Sequence, residues 1–86
     1  EVFNVSLFAR GPSARPTGVC CDEAGDIYVG VVYSQRGVSE VHHYDPQGKH
    51  VGLVASGLSH ALGMTFSPSG DLVVADRNSL KIFHRV

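Results

Sequence analysis

Tryptophan is absent from this chain, and methionine occurs once. Charge is sparse as well: 17% of residues are charged and the net charge is -1. That balance excludes a global electrostatic pull toward nucleic acid or an anionic membrane. No apolar run approaches the roughly 20 residues of a membrane-spanning helix, so no membrane partner is expected. No segment carries a helical period over the length a helix needs, which excludes all-α and α/β classes. Cysteine is limited to two adjacent residues, Cys20 and Cys21. Strand neighbours point to opposite faces, and there is no Cys-x-x-Cys spacing. The pair therefore reads as two small buried apolar residues kept reduced, which sets the expected location as cytoplasmic. Glu1 opens directly into Val2-Phe3-Asn4-Val5, with no signal-peptide pattern. At 86 residues there is room for one small domain, and chains this short bury only about 60% of their unfolded surface.

What the sequence does contain is a repeat. Arg15 to Val32 returns in altered form at Ala61 to Arg77. Gly18 matches Gly63, Gly25 matches Gly70 and Asp26 matches Asp71, each at a spacing of 45 residues. The match extends backward, with Val5 to Gly11 resembling Val51 to Gly57, and forward, with Val41 to Tyr44 resembling Leu80 to Phe83. A period of this size signals a solenoid, a propeller or an array.

Taken in order, Val2 to Ala9 reads as a strand, and Gly11 to Pro16 as a loop because each proline lacks a ladder N–H. Gly18 to Asp22 is a short strand, Asp22 to Asp26 a hairpin turn, and Ile27 to Tyr33 a nearly continuous apolar strand to be buried on both faces. A loop from Ser34 to Gly37 leads to a strand at Val38 to Tyr44. Asp45-Pro46-Gln47-Gly48 has turn chemistry at each position, and His50 to Ser56 is a further strand. The cycle restarts at Ala61 to Phe66, Asp71 to Ala75 and Leu80 to Val86. Four short strands per unit, one of them apolar on both faces, fit a propeller blade. The fold class expected is all-β, with blades of four antiparallel strands in two repeat units. Residues 1–11 supply an outer strand, 12–57 the first unit, and 58–86 a second unit lacking its outer strand. Such a segment is an incomplete propeller unless it oligomerises or continues in a longer chain. The two unpaired ends are complementary, and three copies of two blades would close a six-bladed ring.

Pro16-x-Gly18-Val-Cys-Cys-Asp-Glu-Ala-Gly-Asp-Ile-Tyr-Val29, with Asp45-Pro-Gln-Gly-Lys49 after it, resembles an NHL repeat. So does Gly63-Met-Thr-Phe-Ser-Pro-Ser-Gly-Asp-Leu-Val-Val-Ala-Asp76. The resemblance implies a β-propeller, and many members of that family are tripartite-motif ubiquitin ligases whose NHL portion is a platform for protein or RNA partners. No RING or B-box zinc pattern is present, so ligase activity is not implied. The chain departs from the family pattern in two places. The family's aspartate closing the second strand is Asp76 in the second unit but Val31 in the first, and Ser79 stands where an arginine is usual, with Lys81 nearby.

Antiparallel threading places the candidate sites. One loop rim carries Arg10, Arg15, Arg36, His60 and Arg77, and the opposite rim carries Asp22, Glu23, Asp26, Asp45, Lys49 and Asp71. Loops on a rigid scaffold are frequent binding sites, and arginine suits carboxylate or phosphate recognition. A protein partner is expected at the arginine rim. RNA is the alternative there, although only Tyr33 is near enough to stack on a base. A metal-dependent lyase or lactonase-type enzyme is the remaining reading, and it needs acids or histidines facing the channel. The innermost strands offer Val, Cys, Thr and Phe, with Asp22 at one end. His42 and His43 point to opposite faces. No Ser-His-Asp order and no glycine-rich phosphate loop occurs, so no enzyme activity, cofactor or metal is expected. Gly18, Gly25, Asp26, Gly63, Gly70, Asp71 and Asp76 are assigned structural roles, Asp76 as a buried acceptor for backbone, Arg77 or Lys81.

Overall fold

The computed structural model describes residues 15–33 and 37–85. The expected strand at Val2 to Ala9, and Arg10 and Arg36, lie outside the described residues. Within them the fold is all-β, with seven strands: β1 (Arg15–Cys21), β2 (Ile27–Tyr33), β3 (Val38–Tyr44), β4 (His50–Leu58), β5 (Ala61–Phe66), β6 (Leu72–Asp76) and β7 (Ser79–Phe83). They form two unclosed sheets, β1-β2-β3-β4 and β5-β6-β7. Neighbouring strands are antiparallel throughout. These are partial propeller blades.

One turn chemistry is used three times at the same end of the sheets. Asp22, Asp45 and Ser67 each open a turn, and each accepts through its carbonyl from the amide of the glycine three residues on, Gly25, Gly48 and Gly70. Those glycines sit at φ 88, 90 and 90°, where a side chain would clash with the backbone. The opening side chain also accepts backbone amides: Asp22 from Ala24 and Asp26, Asp45 from Gln47 and Lys49, and Ser67 from Asp71. Local hydrogen bonding of this kind is why Asp and Ser favour turns.

Several strand limits differ from the sequence reading. Arg15 and Pro16 belong to β1, pairing with Val32 and Val31 around a bulge. Proline is tolerated there because β1 is the edge of its sheet. Strand β4 continues to Leu58, and β6 runs Leu72–Asp76. Strand β7 stops at Phe83, because the Arg85 amide turns aside to the Asp71 carboxylate at 2.8 Å. The cysteines are not both buried: Cys21 is exposed and Cys20 half-buried, since the Cys21 side of β1 faces away from the second sheet. Strand β2 has no exposed residue, and Gly30, Val31 and Val32 are buried.

The sheets meet through their innermost strands, β1 against β5. Val41, Ala55, Leu58, Ala61, Leu72 and Val74 form the core, with Cys20, Tyr28, Met64, Phe66 and Phe83 packed around it. Burying each valine stabilises by about 1.5–3 kcal/mol. The backbones come close because Gly18 has no side chain: a Cβ there would lie 2.8 Å from the Leu62 carbonyl oxygen. Two hydroxyls tie the seam. Thr17 Oγ1 donates to the Ala61 carbonyl. Ser39 Oγ, fully buried, donates to the Val31 carbonyl at 2.6 Å and accepts from the Ala61 amide at 3.1 Å. Around this single residue, Ala61, both blades are held in register.

Candidate functional site

Blade geometry creates two rims, and the arginine rim is built around Asp76. This carboxylate ends β6 and is 2% exposed. It accepts from the amides of Ser59 at 3.2 Å and His60 at 2.7 Å, and from Lys81 Nζ at 2.6 Å. Burial pushes its pKa up, but the hydrogen bonds from Lys81, His60 and Ser59 outweigh burial and hold it below the usual carboxylate value. The cation it takes is Lys81, across the β6–β7 hairpin, rather than its neighbour Arg77. The lysine thus fills the role left by the serine at position 79, two residues away. Asp76 fixes the Ser59–His60 link between the blades and so sets the shape of this rim.

Arg77 follows at the hairpin tip. It has a positive φ of 53°, and its amide donates to the His60 carbonyl at 3.2 Å. Its side chain is exposed, as is that of Arg15 at the start of β1. Since β1 and β5 run side by side, with Thr17 at Ala61, the beginning of β1 shares a rim with His60 and Arg77. The structure therefore brings Arg15, His60 and Arg77 to one end of the molecule. Among the described residues no hydrogen bond or ion pair engages the side chains of Arg15, His60 or Arg77.

The opposite rim holds the three turns, and its carboxylates are mostly committed. Asp26 meets His43 Nε2 at 2.8 Å, and Asp71 meets His84 Nδ1 at 3.2 Å. Asp71 is held below the usual carboxylate range by the Arg85 amide and by His84. Two basic residues, His84 and Arg85, therefore join a rim that the sequence reading made acidic apart from Lys49. Between the turns at 22–26 and 67–70 lies a cleft of about 1000 Å³ lined in part by Tyr28, Phe66, Phe83 and Arg85. Tyr28 stacks on His43 at 4.5 Å and meets Phe66 edge-on at 4.8 Å. Its hydroxyl donates to Asp22 at 3.1 Å. Burial first, then the Asp22 hydrogen bond, pushes the phenol up to about 12, so it stays a donor at neutral pH.

Among the described residues the cleft holds no relay. Ser69 donates to Asp71 at 3.4 Å, and Asp71 faces His84. A nucleophilic triad needs the histidine between serine and carboxylate; here the carboxylate lies between, and the group clasps the turn to the end of β7. The histidines do meet once: His42 Nδ1 lies 2.8 Å from His50 Nε2, and His42 Nε2 lies 3.0 Å from Glu40. The sequence reading paired no two histidines, and it did not anticipate the bulges that shift the β3–β4 register. Among the described residues no group of three or more His, Cys, Asp or Glu converges on a metal position. No helix among them is long and apolar enough to cross a membrane.

Sequence reasoning missed Ser39 and Thr17, whose partners lie 22 and 44 residues away. The Thr17 contact spans almost one repeat length, which is the one signal that would have found it.

No protein-family model matches the chain. The chain is 34% identical over 70 residues to the human (Homo sapiens) NHL-repeat-containing protein 4. The match covers 79% of this chain and 54% of that protein, so the chain spans about half the length of the curated relative it matches. The chain itself holds two sheets of blade form, joined through inner strands that repeat at a spacing of 45 residues. The similarity supports an NHL-repeat relationship for this chain.

Proposed function

We propose that this repeat protein is a non-catalytic, cytoplasmic scaffold that binds an acidic protein surface at the rim carrying Arg15, His60 and Arg77. The supporting observation is an imbalance in how charge is used. On the turn rim Asp22, Asp26, Asp45 and Asp71 hold their own turns and strand ends together. On the other rim Arg15 and Arg77 are exposed and engage nothing among the described residues. Arginine's planar fork pairs with carboxylates through two parallel hydrogen bonds. The Asp76 anchor keeps the loop that carries His60 rigid, so little order has to be gained on binding.

RNA is the competing ligand for the same guanidinium groups. Its signature is an affinity falling steeply with salt through counterion release. Base stacking on this rim would fall to Tyr33, whose hydroxyl lies 3.4 Å from His42 Nε2. The experiment is a titration of fluorescent Glu-rich peptides and of a single-stranded RNA oligomer at two salt concentrations. The chain and its Arg15→Glu/Arg77→Glu variant are compared. The proposal expects peptide binding that the double variant loses, with RNA bound weakly or not at all. Tight RNA binding with a steep salt slope overturns it, as does peptide binding that survives the charge reversal.

A further inference from the structure

The two sheets meet through one face of each, and the repeat shows what their other faces are shaped for. Across β1, β2 and β3 the row Gly18, Gly30, Val41 faces the second sheet. All three positions are filled. The Leu62 carbonyl oxygen sits 2.8 Å from where a Gly18 Cβ would be, the Ala61 Cβ 3.4 Å from that of Gly30, and Val41 is 0% exposed. The matching row of the second sheet is Gly63, Ala75, Leu80 across β5, β6 and β7. There nothing among the described residues lies within 4 Å of a Gly63 Cβ, and Leu80 is 67% exposed. Ile82, in the adjacent row, is 51% exposed. Gly63 does not need positive φ. A glycine inside a strand weakens it, and it marks a place where another backbone approaches closely. At Gly18 that backbone is β5; at Gly63 the same space is open.

The complementary half lies on the same chain. Met64, on the joined face of β5, packs against the core. Its counterpart one repeat earlier is Val19, which is 63% exposed. Phe66 also packs on the core, while its counterpart Cys21 is exposed. Farther out on that face His42 and Tyr44 are already buried, so the available surface is the β1 strand itself. We propose that a second copy of this chain docks the Val19 side of its β1 against the Gly63–Leu80 face, repeating between molecules the β1–β5 approach that joins the sheets within one. This inference uses neither rim and goes beyond the binding function proposed for the arginines. The contact joins two different surfaces, so every copy retains one unfilled half, and repetition gives a ring where the rotation closes or an open chain where it does not.

Sedimentation velocity on the 86-residue chain, from micromolar to several hundred micromolar, tests it. The expected result is a mass that rises with concentration. Gly63→Val, at an open position in an extended strand, is expected to weaken association at least about tenfold with unchanged circular dichroism and melting at low concentration. Leu80→Asp and Val19→Asp each remove one half, so each alone is expected to be monomeric, while their mixture forms a dimer and nothing larger. A wild-type chain that stays folded and monomeric over the whole range overturns the proposal. So does a Gly63→Val variant that associates like the wild type, or a mixture that forms no dimer.

Discussion

Replacing Asp76 with alanine removes the acceptor for two backbone amides and for Lys81 Nζ at one stroke. The Ser59 and His60 amides are part-buried, so water replaces the lost carboxylate poorly. Hydrogen bonds to a charged group contribute about 1.5–3 kcal/mol each, and a stranded donor costs about as much. Discounting the lysine, which is partly solvated, the loss comes to roughly 3 kcal/mol. A chain of this size has a total stability of roughly 4–13 kcal/mol, so the variant forfeits between about a fifth and three quarters of it. At about 4–8 °C per kcal/mol the melting temperature falls by roughly 12–24 °C. The pH dependence follows from the depressed carboxyl. A group whose folded pKa lies below its unfolded value stabilises fully above the unfolded value, about 3.9 for Asp, and that contribution is lost as pH falls through the folded value. The gap between wild type and Asp76→Asn is therefore constant at neutral pH and narrows only below about pH 4. Thermal unfolding followed by circular dichroism across that range reads both effects. An alanine variant within about 1 kcal/mol of wild type, or a gap that closes near neutral pH, refutes the reasoning.

Three further substitutions probe the seam and the rim. Ser39→Ala leaves the Ala61 amide without its acceptor and is expected to cost about 1–2 kcal/mol, with faster hydrogen exchange at Ala61 by NMR as the specific sign. Gly18→Ala puts a methyl group 2.8 Å from the Leu62 carbonyl oxygen and is expected to destabilise by about 1–3 kcal/mol in denaturant titration, whereas Gly63→Ala is neutral or stabilising in the isolated chain. Arg77→Gly relieves a positive φ at the tip of the β6–β7 hairpin and is expected to raise stability by about 1 kcal/mol while weakening the binding of Glu-rich peptides.

The repeat carried most of the fold. Its spacing, the turn residues Gly25, Gly48 and Gly70, and the apolar run of β2 were enough to place the strands and to identify blades, because each rests on local chemistry. Strand ends were less legible. Pro16 lies inside a strand because β1 is the edge of its sheet among the described residues, and an edge is a property of the sheet rather than of the dipeptide. Cys21 looked like a core residue by composition but faces away from the second sheet, which only the pairing of faces reveals. At the rim, Asp76 was visible as a buried acceptor at a strand end, yet its choice of Lys81 over Arg77 depends on the hairpin geometry that turns Arg77 outward. The ties at Thr17 and Ser39 were invisible because nothing in a threonine or serine announces a partner one blade away. The meeting of His42 and His50 depended on bulges between β3 and β4 that no residue pattern marked.

All of this rests on the β1–β5 seam, which joins the two repeats into one body and fixes both rims. Nuclear Overhauser contacts between the Gly18 α-protons and those of Leu62 and Gly63 in an isotope-labelled chain test it most directly. The account predicts strong contacts at those pairs, together with contacts from Thr17 to Ala61. Two sets of cross-strand contacts confined to each sheet, with none between β1 and β5, would contradict it.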